Sequence, residues 1–194
     1  MRDNAPTDAD RFLALLRPIE RDLERYCRRL VWEPQEAPDV LQNAVLRAFA
    51  AFDRYRENAS FRAWMFKIVT NEAFAMNRKH ARIARHEFQL EPEELAGLAA
   101  ADAAETAAAD ALSAAALDAA LEPAVSTALK SLTDTERAVL LLRAIAELRY
   151  REISDTLNIP MGSVMGNLSR AREKMRACLA RAERRINSLK GTES

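Results

Sequence analysis

Apolar residues return at steps of three and four along most of this chain, the period of helices that each bury one stripe. Over residues 8–31 the stripe is Phe12, Leu15, Leu16, Ile19, Leu23, Tyr26, Cys27 and Leu30, with Arg21, Arg25, Arg28 and Arg29 mostly off it. Pro18 predicts a kink or break there, since proline has no amide hydrogen for the preceding turn. Beyond a loop bracketed by Pro34 and Pro38, a second stripe runs through Val40, Leu41, Ala44, Val45, Ala48, Phe49 and Phe52. Pro38 suits the first turn of that helix, where a missing N–H costs nothing. A polar stretch, Asp53 to Ala59, precedes a third helix, with Ser60 as its cap and Phe61, Trp64, Met65, Ile68 and Val69 inward. Asn77-Arg78-Lys79-His80-Ala81-Arg82 reads as a polar, basic continuation that leaves the core.

The period fades over residues 87–125, which are rich in alanine and acids, with Pro92 and Pro123 near the ends. This segment is expected to be a linker, partly helical because alanine favours helix. Periodicity resumes with Thr133 and Glu136, a T-x-x-E capping box ahead of Val139, Leu140, Leu141 and Leu142. A short helix starts near Tyr150 with Ile153 and Leu157 inward, and Asn158 can take the left-handed conformation that ends it. Ile159-Pro160 makes a turn, after which Val164, Leu168, Ala171 and Met175 share one face of a last helix. The expected fold is all-α, with helical domains at 8–86 and 126–185 joined by the 87–125 linker.

The 29 Lys and Arg residues cancel the 29 Asp and Glu residues, yet their distribution is uneven. Residues 1–86 hold 16 basic and 12 acidic side chains, residues 87–129 nine acids and no Lys or Arg, and residues 130–194 13 basic and eight acidic. Two basic blocks flank one acidic block, a layout compatible with a nucleic-acid partner despite zero net charge. Cys27 and Cys178 stand far apart and read as plain thiols. His80 and His86 lack metal-ligand spacing, no nucleophile–base pair stands out, and no apolar run is long enough to span a bilayer. A soluble, cytoplasmic, non-enzymatic protein without metal or cofactor is expected.

The stretch over residues 131–179 has the layout of a helix-turn-helix, whose second helix enters the DNA major groove. That helix offers Ser163, Asn167, Arg170, Arg172, Lys174 and Arg176. Residues near its start reach base edges, whereas cations further along meet phosphates. An Asn at position 167 suits an adenine edge and an Arg at 170 a guanine or a phosphate. Aromatic and cationic residues alternate in Phe52-Asp53-Arg54-Tyr55-Arg56 and in Phe61-Arg62-Ala63-Trp64, a pairing that suits unstacked bases. Phe61 and Trp64 are at helical spacing and read as core, whereas the loop from Arg54 to Asn58 reads as exposed. Asp39, Gln42 and Arg47 lie on the outer side of the second helix.

Taken together, these motifs resemble the small two-domain sigma factors of bacterial RNA polymerase, the extracytoplasmic-function group of the sigma-70 family. Asp39-Val40-Leu41-Gln42-Asn43-Ala44 with Leu46-Arg47-Ala48-Phe49 looks like that family's polymerase-binding helix. Ser60-Phe61-Arg62-Ala63-Trp64-Met65-Phe66-Lys67-Ile68 with Asn71 looks like its −10 helix, Leu132 to Arg143 like the start of its region 4, and Tyr150 to Val164 with Leu168 to Arg172 like its −35 helix-turn-helix. The resemblance implies that Asp39, Leu41, Gln42 and Arg47 meet the β′ coiled coil of core polymerase, with the β flap as a second contact. It implies that Arg54, Arg56, Asn58, Asn71, Arg78 and Lys79 handle the −10 element, where a base is flipped from the duplex. It implies that Ser163, Met165, Asn167, Arg170, Arg172 and Lys174 read the −35 element of promoter DNA, and that the acidic linker runs through the polymerase near the RNA path. An anti-sigma factor is an optional further partner. The family usually has Glu where Asn43 stands, and Ser-Arg or Ser-His where Gly166-Asn167 stand. The alternatives are a sigma-like decoy that only captures an anti-sigma factor, an ordinary helix-turn-helix regulator, whose ligand or dimerisation domain residues 1–86 do not resemble, and an enzyme, for which no nucleophile–base pair or metal cluster stands out.

Overall fold

The computed structural model describes residues 7–55, 60–88 and 123–190. Among the described residues all regular structure is helical. Helix α1 (Asp8–Leu16) opens with a capping box from Thr7 and Asp10 and passes through a 3-10 turn, Arg17–Ile19, into α2 (Glu20–Leu30). Pro18 sits in that turn, so the expected break falls where proline's missing donor is tolerated. Helix α3 (Ala37–Ala50) carries Pro38 in its first turn. A second 3-10 turn, Phe52–Arg54, leads toward α4 (Phe61–Phe88), whose first turn is capped as the Ser60 hydroxyl accepts from Ala63 N–H at 3.2 Å.

These helices close around Phe12, Leu23, Tyr26, Leu30, Val40, Ala44, Met65, Phe66 and Val69, all nearly or fully buried. Phe12 makes edge-on contacts with Phe49, Phe52 and Phe61 at 5.3–5.8 Å between ring centres. The Tyr26 and Thr70 hydroxyls share a buried hydrogen bond of 2.7 Å. Tyr55, expected in an exposed loop, is half-buried. Its ring stacks on Phe52 and tilts against Trp64, because covering those faces removes more apolar area from water than leaving the ring free.

The second lobe begins with a helical segment over residues 123–130 (α5), followed by α6 (Asp134–Ala144), α7 (Tyr150–Leu157) and α8 (Met161–Lys190). Thr133 and Glu136 form the expected capping box on α6. Two left-handed residues make the turns. Glu147, at φ 55°, lets Leu148 N–H return to the Leu142 carbonyl at 3.1 Å, and Asn158, at φ 53°, ends α7. Val139, Leu142, Ile153, Val164, Leu168 and Ala171 fill the core of this lobe.

The two lobes pack against each other through α2 and α4 on one side and α6 and α7 on the other. Arg62 of α4 donates from Nε to the Ala146 carbonyl at 2.7 Å and from Nη2 to the Ile145 carbonyl at 2.9 Å. Its Nη2 also reaches Asp22 Oδ2 at 2.7 Å. Lys67 donates to the Asp155 carbonyl at 2.9 Å. Asn77, read from the sequence as leaving the core, is fully buried. Its amide accepts from Trp32 N–H at 3.0 Å and donates to the Leu30 carbonyl at 3.2 Å and to Asp134 Oδ1 at 3.4 Å. Trp32 Nε1 donates to the same carboxylate oxygen at 2.8 Å. Burial of a primary amide is tolerated here because its polar atoms find partners.

Candidate nucleic-acid interface

Helix α7, the Asn158–Pro160 turn and α8 form a helix-turn-helix held by buried Ile153, Val164 and Leu168. The Ser154 hydroxyl donates to the Ile159 carbonyl at 2.6 Å and Ile159 N–H returns to the Ser154 carbonyl, which pins the turn. Because 3.6 residues make a turn, burying 164, 168 and 171 leaves the opposite face of α8 to solvent. Ser163, Met165, Arg170, Arg172 and Lys174 are exposed on α8, and Asn167 is half-buried. The six candidate −35 positions flank the buried stripe, Ser163, Asn167, Arg170 and Lys174 on one side and Met165 and Arg172 on the other.

They are not independent of one another. Asn167 Nδ2 donates to the Ser163 carbonyl at 2.8 Å, and Arg170 Nη2 donates to Asn167 Oδ1 at 3.0 Å. Arg170 Nε lies 3.4 Å from Glu136 Oε1, and Lys174 Nζ donates to Glu136 Oε2 at 2.7 Å. Glu136 is only 3% exposed. Burial raises its carboxyl pKa, but hydrogen bonds from Lys174 and Thr133 and the Lys174 charge more than offset this and hold it below its ordinary value. The sequence marked Glu136 only as a cap. Its contact with α8 spans 38 residues and leaves no local signal. A Cβ built at Gly166 would lie 3.4 Å from Arg170 Nη1, ordinary contact with the end of a flexible side chain, so nothing in the structure requires the glycine there.

In the first lobe, Arg54 ends its 3-10 turn exposed, while Arg56 and Asn58 lie outside the described residues. Asn71, Arg78 and Lys79 are exposed on α4. Residues 71 and 78 are two turns apart and share a face, with 79 one step around. On α3, Asp39 and Gln42 are exposed, Leu41 is half-buried against the core, and Arg47 pairs with Glu72 of α4 at 2.9 Å. Leu46 and Phe49 are 60% and 45% exposed. With Asp39 and Gln42 they form one outward stripe at steps of three and four. Phe49, expected on the core face, thus touches Phe12 by one edge and offers the rest to solvent. An open apolar groove of about 520 Å³ lies beside α5, α6 and α8, lined by Val125, Leu129, Leu141, Ile145, Met175 and Leu179. Among the described residues no helix is long and apolar enough to cross a membrane.

A helix-turn-helix with a cationic outer face, following a helical lobe with an exposed apolar-polar stripe, defines a DNA-binding transcription protein with a second docking surface. Residues 15–83 match the family model for sigma-70 region 2, and residues 123–175 match that for sigma-70 region 4. The chain belongs to the sigma-70 family of RNA polymerase sigma factors, in its extracytoplasmic-function (ECF) group. The ECF RNA polymerase sigma factor SigW of Bacillus subtilis is 29% identical over 171 residues, covering 87% of this chain and 89% of that one. SigG of Mycobacterium tuberculosis is 26% identical over 196 residues, or 94% of this chain, which spans about half (53%) of SigG. In three dimensions the fold is similar to the sigma factor RpoE from Bartonella quintana, solved with the anti-sigma factor NepR. That match has a TM-score of 0.69 at 20% identity and covers 88% of this chain and 97% of that one.

Proposed function

We propose that this chain recruits core polymerase through the outer face of α3 and places its two lobes on two promoter elements. Asp39, Gln42 and Arg47 supply the polar contacts of that face to the β′ coiled coil, and Leu41 seats it. Residues 8–86 act on the −10 element through Arg54, Arg56, Asn58, Asn71, Arg78 and Lys79. Residues 126–185 act on the −35 element through Ser163, Met165, Asn167, Arg170, Arg172 and Lys174. The groove beside α5 accepts the β flap, and residues 87–125 connect the lobes. The protein works in the cytoplasm as an initiation factor, not as a catalyst, and an anti-sigma factor, like that bound to the Bartonella protein, is a natural regulator.

The observation that carries this reading is the α8 face, where a cationic, hydrogen-bonded row of side chains stands clear of a buried apolar stripe. Cations in such a row release counterions from DNA, so promoter binding should weaken steeply with salt. Arg170→Ala is expected to lower −35-dependent promoter binding by the reconstituted holoenzyme while leaving the fold intact; unchanged promoter affinity would remove Arg170 from the site. Changing Asp39 and Gln42 together to Ala is expected to weaken polymerase association, and normal assembly would remove that face. A decoy that only captures an anti-sigma factor has no need of an exposed cationic recognition helix, and this chain keeps one.

A further inference from the structure

We infer that Glu136, outside the set of DNA-facing residues, is a positioning residue that acts through Arg170 to fix the base-reading orientation of Asn167. The inference rests on the −35 assignment above and deepens it. An Asn amide can be flipped without changing its shape, so its donor and acceptor ends are decided by its neighbours. Here both neighbours are unambiguous. The Ser163 carbonyl can only accept, and the Arg170 guanidinium can only donate. Their distances of 2.8 and 3.0 Å therefore put Nδ2 toward Ser163 and Oδ1 toward Arg170. One N–H and one lone pair of the amide remain for a ligand. That complement matches an adenine edge, which offers N6–H as donor and N7 as acceptor.

Arg170 would not hold this pose unaided, because its side chain is 58% exposed and long side chains in water sample many rotamers. Glu136 supplies the fixed end. It is buried at the start of α6, tied to the Thr133 backbone N–H at 3.1 Å, and it draws both Arg170 and Lys174 toward one carboxylate. The Arg170 guanidinium lies beside Gly166. Order thus passes from a buried acid, through a cation, to the amide that faces DNA.

The test uses the reconstituted holoenzyme and a promoter library randomised across the −35 element, with bound DNA sequenced. Asn167→Ala first locates the base position it reads. At that position wild type should prefer adenine by about tenfold or more, the range of a bidentate contact. Glu136→Gln keeps the cap, since Gln serves at that position of a capping box. It should reduce the preference to about twofold or less while the other positions keep theirs. Arg170→Lys, an exposed change that spares the fold, should likewise reduce the preference at the Asn167 position, because a point-charge ammonium cannot bridge the two groups, and it should also weaken whatever contact Arg170 itself makes. In an Arg170→Ala background Glu136→Gln should change the preference no further.

A uniform loss across all positions in Glu136→Gln would make the residue merely structural and overturn the inference. So would a preference that survives Arg170→Lys, or a further shift in the Arg170→Ala background. Wild-type holoenzyme indifferent to the whole −35 element would instead strike the parent assignment, and the inference with it.

Discussion

Arg62→Ala is the sharpest test of how the lobes are held. The guanidinium makes three hydrogen bonds of 2.7–2.9 Å, two of them to carbonyls at the end of α6 in the other lobe. Hydrogen bonds from a charged donor contribute about 1.5–3 kcal/mol each. The Arg62 side chain is 27% exposed, which places the two cross-lobe bonds near the low end. Their loss should weaken the packing of the lobes by about 3 kcal/mol, or roughly a hundredfold in the closed-to-open ratio. Lys67 and Trp32 would keep their own contacts across the interface. Trp32 is the reporter, since its indole donates to Asp134 across that interface and the chain's one other tryptophan is Trp64. In a Trp64→Phe background, Arg62→Ala should raise acrylamide quenching of Trp32 and shift its emission to the red. Identical quenching with and without Arg62 would refute the reasoning.

Asn77→Leu should destabilise the chain by about 2–3 kcal/mol in urea unfolding, because the Leu30 carbonyl and Trp32 N–H lose their buried partner; a change below 1 kcal/mol would deny Asn77 that role. Burial pushes the Cys27 thiol pKa up to about 12, so at pH 8 the native chain should show one thiol fast toward a disulfide reagent, the half-exposed Cys178, and a second only after unfolding. Glu136 has a folded-state pKa below the ordinary 4.5, so the unfolded chain binds its proton first as pH falls. Its contribution is then full above 4.5 and lost as pH drops through the lower folded value, and Glu136→Gln should flatten that part of the stability–pH curve. An unchanged slope below pH 4.5 would contradict the placement.

Local rules carried the fold a long way. The Thr133–Glu136 box, the turn at Asn158 and the buried stripe from Val164 to Ala171 are all set by neighbours within a few residues, and each stands as the pattern predicts. What escaped was decided by distant partners. Asn77 looks like a surface residue until Leu30, Trp32 and Asp134 surround it, and no local pattern brings residues 32 and 134 together. Tyr55 sits in a polar run and turns inward only because Phe52, Phe61 and Trp64 offer their rings. Glu147 takes a left-handed turn without the glycine or asparagine that would have flagged it. Among the candidate DNA-facing residues, helical period alone sets Ser163, Asn167, Arg170 and Lys174 on one flank of the buried stripe and Arg172 on the other. The buried acid that organises Arg170 and Lys174 became visible only when α6 met α8.

Start-site-specific transcription tests the central claim most directly. Purified chain is mixed with bacterial core polymerase and templates carrying a library-selected promoter, and run-off RNA is measured. RNA of one defined length should appear only with this protein present, and should fall sharply when either the −10 or the −35 element is scrambled. Transcripts that do not depend on the protein, or that ignore both elements, would contradict its role as a promoter-specificity factor.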